Sequence, residues 1–324
     1  MDWLELNIFT THEGIEPLSA ALIGAGITGL VISDPSDITE FAENKNPTWD
    51  YIDDDVLKKQ NDEAFITVYI EKNDTAADML QEIRSIVTRL KSLDEANEYG
   101  RLEISSSGIR EEDWANNWKE FFKPIEIGEK LIIKPTWEGL PQGCNRHVVE
   151  LDPETSFGTG RHFTTQLCLE LLEKYVSEGD TVCDLGCGSG IISIAAIALG
   201  ADSAVGVDIA EDAAKIAKAN ALKNGIADEK YTVYCGDITT DTALKEKIGK
   251  GYNLVAANIV ADVLMAMKEI FAEITKPGGT LVISGIIDDR RDEVLSAVKR
   301  CGFTLVEDLH RDMWNAAVYK RDEL

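Results

Sequence analysis

The stretch 181-TVCDLGCGSGIISIAAIALGADSAVGVD-208 reads as a strand, a glycine turn, a helix and a second strand in immediate succession. Thr181 to Leu185 is a short apolar and β-branched run, and Gly186-Cys187-Gly188-Ser189-Gly190 is the turn. Ile191 to Leu199 is apolar enough to be a helix buried against a sheet, and Ser203 to Asp208 supplies the neighbouring strand. Gly186, Gly188 and Gly190 let the backbone turn sharply and approach a ligand without a Cβ in the way. The helix that follows offers unpaired N–H groups. Asp208, at the carboxyl end of the second strand, is placed to accept hydrogen bonds from a ribose diol. The pattern is that of a nucleotide-binding βαβ unit in an α/β fold.

The glycine spacing bears on which nucleotide. A dinucleotide fingerprint is G-x-G-x-x-G, whereas this chain has G-x-G-x-G with Ile191 where the third glycine belongs. Asp184 sits just before the turn, awkward beside a pyrophosphate but suited to the ammonium and sulfonium of S-adenosyl-L-methionine. The residues therefore read as a methyl-donor site and not as a site for NAD. The run D-x-G-x-G-x-G followed by an acidic residue after the next strand resembles motifs I and II of the class I methyltransferases.

Downstream, Ala210 to Asn224 is expected to be a helix and Lys230 to Cys235 the third strand, after which Asp237 is placed to meet the adenine amino group. Tyr252 to Asn258 is the fourth strand. Its carboxyl end lies beside the first strand in such a fold, so Asn258 faces the transferring methyl. Thr280 to Ser284 is expected as the fifth strand and Asp288 to Cys301 as a helix. Phe303 to Leu309 and Met313 to Lys320 then complete the sheet as a hairpin.

Upstream, the domain begins with a hairpin over Ile125 to Trp137 and a strand from His147 to Asp152, followed by PETSFGTGRHFTT and a helix from Gln166 to Tyr175. In that loop Phe157, Gly158, Thr159 and Gly160 can bring backbone N–H groups and a ring near the donor, while Thr164 and Thr165 cap the helix or contact ligand. A simple capped turn is the alternative. Residues 1-107 alternate strand and helix patterns in the order βαββαβ, a ferredoxin-like α+β domain with no glycine-rich loop and no catalytic cluster. The acidic segment Asp34 to Glu63 reads as an insertion within it. Residues 108-124 read as a linker helix, with Trp114, Trp118, Phe121 and Phe122 at helical spacing for packing. Residues 125-324 form the methyltransferase domain.

The formal net charge of -26 argues against a nucleic-acid substrate gripped through its phosphates and favours a basic protein partner. The acidity is densest at the amino-terminal end, where residues 1-108 carry 22 Asp and Glu against 8 Lys and Arg. A surface charged only for solubility reads equally well. Six cysteines without C-x-x-C spacing and only four histidines give no metal site. No stretch approaches a membrane span, and the amino terminus has no apolar leader, so the expectation is a soluble, cytoplasmic protein without membrane contact.

Over nearly its whole length the chain resembles the ribosomal protein L-eleven methyltransferase (PrmA) family. The residues that carry the resemblance are EEDWANNWKEFFKP with the following hairpin and PTW, DPETSFGTGRHFTT, DLGCGSG, GVDI, AANI and Trp314. The resemblance implies methyl transfer from S-adenosyl-L-methionine to lysine and amino-terminal amines of ribosomal protein L-eleven, with the ferredoxin-like domain holding that protein. It carries donor contacts over to Thr165, Gly186, Asp208 and Asn258. Three positions depart from the family pattern: Glu154 and Arg161 near the expected acceptor entrance, and Phe163 at the helix start. Another protein amine or a small molecule is the alternative acceptor. A glutamine or amino-base methyltransferase is disfavoured because Asn258-Ile259-Val260-Ala261 lacks the paired prolines and aromatic of those enzymes. A protein-binding module with a vestigial donor site is the reading outside enzymology.

Overall fold

The computed structural model describes residues 3–27, 29–36, 63–71, 76–94, 96–106, 122–152 and 160–323. The chain divides into two compact units, Met1–Phe122 and Lys123–Leu324.

The first unit runs β1 (Trp3–Thr10), α1 (His12–Gly24), β2 (Leu30–Ser33), β3 (Ala64–Glu71), α2 (Ala76–Leu93) and β4 (Glu103–Ser106). Its antiparallel sheet has the order β2-β3-β1-β4, which makes it ferredoxin-like. Strand alternation drives the packing: Leu4, Leu6 and Ile8 of β1 turn inward beside Ile66, Val68 and Ile70 of β3. Leu18 and Leu22 of α1 and Leu80, Ile83 and Ile86 of α2 cover that face. The apolar pattern places the first helix over Ile15 to Gly26, and it starts three residues earlier because the Thr11 hydroxyl accepts from the Gly14 N–H at 3.2 Å and caps it. Nearly all of the acidic insertion, and of the helix expected over 108–124, lies outside the described residues. Residues 122–124, its last three, are not helical.

The second unit opens with a small sheet of β5 (Ile125–Ile127), β6 (Leu131–Lys134) and β7 (His147–Glu150). It continues with α3 (Phe163–Tyr175), β8 (Thr181–Leu185), α4 (Ile191–Ala198), β9 (Ser203–Asp208), α5 (Glu211–Lys223) and β10 (Tyr231–Cys235). The second half holds α6 (Thr242–Ile248), β11 (Tyr252–Asn258), α7 (Ala261–Ile274), β12 (Thr275–Ile287), α8 (Arg291–Arg300), β13 (Phe303–Arg311) and β14 (Trp314–Arg321). The large sheet has the order β10-β9-β8-β11-β12-β14-β13. Its first five strands are parallel, and β14 and β13 close it antiparallel. This is a Rossmann-like sheet whose strand order reverses between β8 and β11, so the carboxyl ends of those two strands flank the crevice.

Both faces are covered, as a parallel sheet requires. Val182 of β8 and Leu254 and Ala256 of β11 pack under α3, α4 and α5, while Cys183, Leu185, Val255 and Ala257 pack against α6, α7 and α8. Cys168, Cys183 and Cys187 are buried free thiols that act as small packing residues. The fifth parallel strand starts earlier than expected. Tyr252 pairs with Thr275 but Leu254 with Thr280, so residues 276–279 bulge out of a strand that the sequence begins only at Thr280.

Candidate donor site

All three turn glycines adopt left-handed backbone, with φ of +75° at Gly186, +51° at Gly188 and +79° at Gly190. Any other residue would be strained there. Space is tight as well: a Cβ on Gly186 would lie 2.4 Å from Ile259 Cγ2, and one on Gly190 would lie 3.0 Å from the Tyr231 hydroxyl. Gly190 caps α4 directly, which is why Ile191 stands where a dinucleotide site would have its third glycine.

Asp208 holds the turn from the adjacent strand. One carboxylate oxygen accepts from the Gly188 N–H at 2.9 Å and the other from the Ala210 N–H at 2.9 Å. Four lone-pair directions on that carboxylate leave room for a further donor. Asp184 is fully buried beneath the turn; its Oδ2 accepts from the Ser193 N–H at 3.3 Å and hydroxyl at 2.9 Å. Its Oδ1 is buried with no hydrogen-bond partner. Burial pushes the Asp184 carboxyl up to about 7, with the neighbouring Asp208 charge adding to the push and the Ser193 bonds opposing it. A buried carboxyl with one orphaned oxygen is suited to a cation arriving at the turn.

At the end of β11 the Asn258 side-chain N–H donates to Thr165 Oγ1 at 3.2 Å. Thr165 is fully buried in the first turn of α3. That helix begins at Phe163, three residues before its expected start, because His162 caps it by accepting from the Thr164 N–H at 3.3 Å. The His162 ring meets Trp314 edge-on at 4.9 Å, and burial lowers its pKa, which keeps the imidazole neutral. Ser284 Oγ donates to the Thr164 carbonyl at 3.0 Å, so the end of β12 also fixes α3.

Asp237 follows β10, where its Oδ1 accepts from the Thr239 hydroxyl and N–H; those bonds hold its carboxyl below the usual range. The Gly236 N–H donates to the Asp208 carbonyl at 2.8 Å, which keeps the ends of β9 and β10 in step. The structure thus joins Gly188 to Asp208, sets Asp184 under the turn, and pairs Thr165 with Asn258. Asp237 stands one strand away. Phe157, Thr159 and Glu154 lie outside the described residues. Gly160, the next described residue, is close-packed, since a Cβ there would lie 3.0 Å from Ile191 Cδ1. The Arg161 guanidinium donates to the Lys123 carbonyl at 2.9 Å.

Sequence reading missed several supporting residues. Asn220 of α5, almost fully buried, donates to the Ser189 carbonyl at 3.0 Å. Asn224 both donates to and accepts from the Glu150 backbone, and Lys223 pairs with Asp152 at 2.8 Å. One helix therefore ties the glycine turn to the end of β7 and Asp152. Polar residues on the inner face of a helix in an α/β fold were the available signal. Among the described residues no cluster of His, Cys, Asp and Glu is arranged for a metal ion, and no helix is long and apolar enough to cross a membrane.

A glycine cradle, a carboxylate at the end of β9 and an orphaned buried carboxyl oxygen fit a ligand with a ribose and a cationic amino-acid end. The profile of the family described as Ribosomal protein L11 methyltransferase (PrmA) matches residues 2–322. A Clostridium botulinum protein named ribosomal protein L11 methyltransferase is 36% identical over 321 residues, spanning 98% of each chain. A Clostridium perfringens protein of the same name is 35% identical over 319 residues, again spanning 98% of each. The crystal structure of a ribosomal protein L11 methylase from Lactobacillus delbrueckii subsp. bulgaricus superposes with a TM-score of 0.56 at 27% identity. It covers 62% of this chain and 99% of that one. The chain belongs to the ribosomal protein L11 methyltransferase (PrmA) family, and its second unit is a class I, S-adenosyl-L-methionine-dependent methyltransferase domain.

Proposed function

We propose that this enzyme methylates lysine side chains and the amino-terminal amine of ribosomal protein L11 in the cytoplasm, with residues 1-107 recognising the protein and 125-324 carrying the chemistry. The Asn258–Thr165 hydrogen bond at the strand-order reversal is the observation that carries this reading. With its N–H engaged by Thr165, Asn258 presents its side-chain carbonyl, a hydrogen-bond acceptor suited to an amine N–H. The donor is held by Gly186 and Gly188 along its amino-acid end, with Asp184 beneath. Asp208 takes the ribose, Asp237 the adenine edge, and Thr165, Phe157 and Thr159 close the site.

When bound, S-adenosyl-L-methionine supplies a methyl carbon on a positively charged sulfur. The protein's task is then positioning, because an in-line displacement needs a neutral amine lone pair directly behind that carbon. Asn258 orients the amine by accepting from it. The ammonium loses its proton to solvent before attack, favoured by the neighbouring positive charge. Neutral His162 adds no competing cation. The net charge of -26 supports a cationic protein acceptor over nucleic acid or an anionic membrane.

The test is mass spectrometry of purified ribosomal protein L11 incubated with the enzyme and donor, with Asn258→Ala alongside. Methyl-unit mass gains at lysines or the α-amine, lost in the variant, are the expected result. Donor binding without any gain on L11 removes this acceptor, and gains on other amines or a small molecule would replace it.

A further inference from the structure

Two buried polar atoms beneath the glycine turn have no partner, and the sheet register brings them to the same place. Among the described residues three buried side-chain polar atoms make no hydrogen bond: Ser19 Oγ in the first unit, and Asp184 Oδ1 and the Tyr231 hydroxyl in the second. Asp184 of β8 lies opposite Gly206 of β9, so its side chain stands on the sheet face that Gly206 leaves bare. Tyr231 opens β10 opposite Ala204, two residues before Gly206, and its ring reaches forward over β9. A Cβ on Gly206 would lie 2.6 Å from the Tyr231 hydroxyl, and one on Gly190 would lie 3.0 Å from it. The hydroxyl therefore sits between the strand beside Asp184 and the turn.

Gly206 belongs to the same arrangement. It lies inside β9 and, unlike the turn glycines, has no left-handed backbone to account for it. A glycine within a strand marks the close approach of another group. Here the space is taken by the Tyr231 hydroxyl, with Cys187 Sγ 3.0 Å from the same Cβ position.

Native cores seldom keep a buried hydroxyl unpaired without a use for it. Around Asp184 stand Ser193 from α4, the Cys168 thiol from α3, the Cys187 thiol of the turn, Tyr231 from β10 and the Asp208 carboxylate from β9. None of these five is a cation. Burial raises the tyrosine and both thiols well above their usual ranges, so Tyr231 keeps its proton and stays a donor. Ser193 already serves Asp184 Oδ2, which leaves Oδ1 as the acceptor open to it.

From this geometry we infer that Tyr231 is a positioning residue for the methyl donor: its O–H is held in reserve for Asp184 Oδ1 and engages it when the cationic end of S-adenosyl-L-methionine reaches the turn. The inference rests on the placement of Asp184 beneath that end, proposed above, and adds the group that holds the carboxylate there. Before the donor binds, Asp184 is protonated below about pH 7 and is a weak acceptor. As the cation arrives the carboxyl releases that proton to solvent, and the carboxylate draws the Tyr231 O–H onto Oδ1 in a charge-assisted bond.

Calorimetric titration of S-adenosyl-L-methionine into the full chain, at pH values on both sides of 7, compares wild type, Tyr231→Phe, Asp184→Asn and the double variant. Tyr231→Phe should weaken donor binding by about tenfold above pH 7, and the loss should shrink as the pH falls and Asp184 is protonated with or without donor. In the Asp184→Asn background the same change should cost less than about twofold. Urea unfolding without donor should find Tyr231→Phe at least as stable as wild type, since it removes an unpaired buried hydroxyl. A hydroxyl that only packs would give the same loss at every pH and in both backgrounds; either result overturns the inference, as does unchanged affinity. A Tyr231→Phe chain that unfolds without donor overturns it too, because a hydroxyl that the fold needs is not held in reserve. If Asp184→Asn keeps the wild-type affinity and pH dependence, the placement of Asp184 itself fails. If Asp184→Asn flattens that dependence while Tyr231→Phe changes nothing, only the role of Tyr231 fails.

Discussion

Asn258, the last residue of β11, donates its side-chain N–H to the hydroxyl of Thr165, a residue 93 positions earlier in the first turn of α3. The bond lies at the carboxyl end of β11, one of the two strands that flank the reversal in strand order. It also fixes which end of the Asn258 amide faces the crevice, so Thr165 sets the polarity of the group proposed to orient the acceptor amine.

Asn258→Ala should therefore lower kcat by about 100-fold, the usual cost of losing one positioned polar group at a reacting centre. Donor affinity should change by less than about threefold, because Gly186, Asp184 and Asp208 remain. Thr165→Val keeps the volume and removes the hydroxyl that anchors Asn258, so kcat should fall by about tenfold. Steady-state kinetics with donor titration calorimetry separates the two effects, and unchanged turnover in Asn258→Ala would refute the role.

Two glycines with the same backbone sign test whether Ile259 positions Asn258. Gly225 has φ of +68° with nothing near a new Cβ, whereas Gly285 has φ of +84° and a Cβ there would lie 2.4 Å from the Ile259 carbonyl oxygen. Gly225→Ala should cost about 1 kcal/mol from strain alone. Gly285→Ala should cost roughly 3 kcal/mol or more, because backbone has to move, and it should also reduce kcat through the displaced Asn258. Urea unfolding and initial rates on both variants check this; equal costs would mean that the loop after β11 is pliant.

Much of this candidate site could be read in the sequence because its constraints are local. A glycine needed at positive φ, a strand's last residue and the acidic residue before a turn are each fixed by their immediate neighbours. Asp184, Gly186, Gly188, Asp208 and Asn258 could be numbered for that reason, and the fourth strand could be set beside the first once the alternation of strands and helices gave the fold. What remained hidden was contact across distance. Nothing in the sequence of α5 says that Asn220 reaches Ser189, and nothing near Asp184 says that Ser193 will take only one of its oxygens. Helix starts shifted for a similar reason, since Thr11 and His162 act as caps that an apolar pattern does not register. The helix α6, capped by Asp241, is short and only half apolar, so its period carried no signal.

Asp184 gives a pH signature. Its pKa of about 7 in the folded protein stands above the 3.8 of an ordinary aspartate. The folded chain therefore holds a proton that the unfolded chain releases. That contribution is full at the acid end and is lost as the pH rises through 7. Replacing the carboxyl by the neutral amide in Asp184→Asn removes this dependence. Urea unfolding should show the wild type losing stability relative to the variant between about pH 4 and pH 7, by at most about 4 kcal/mol. A cation placed at the turn favours the carboxylate, so donor affinity should rise with pH through 7 in the wild type and stay flat in Asp184→Asn. Parallel pH curves for the two proteins would show that Asp184 does not titrate in this range.

Asn220 offers the sharpest separation of support from chemistry. Its buried amide satisfies the Ser189 carbonyl and so fixes the peptide between Ser189 and the left-handed Gly190, at the point where α4 begins. Asn220→Ala leaves that carbonyl without this partner, at a cost of about 1–3 kcal/mol in stability. Asn220→Asp is nearly the same shape but offers an acceptor where a donor is needed, so it repels the carbonyl and tilts the turn. Donor affinity should therefore fall in the order wild type, Ala, Asp, although alanine is the larger change in volume. Turnover at saturating donor should stay near the wild-type value in both, because Asn258 and Thr165 stand on other elements. Donor titration calorimetry with single-point rates reads both quantities. A variant order that follows side-chain volume would reduce Asn220 to a packing residue, whereas the order set by hydrogen-bond polarity would make α5 part of the donor site.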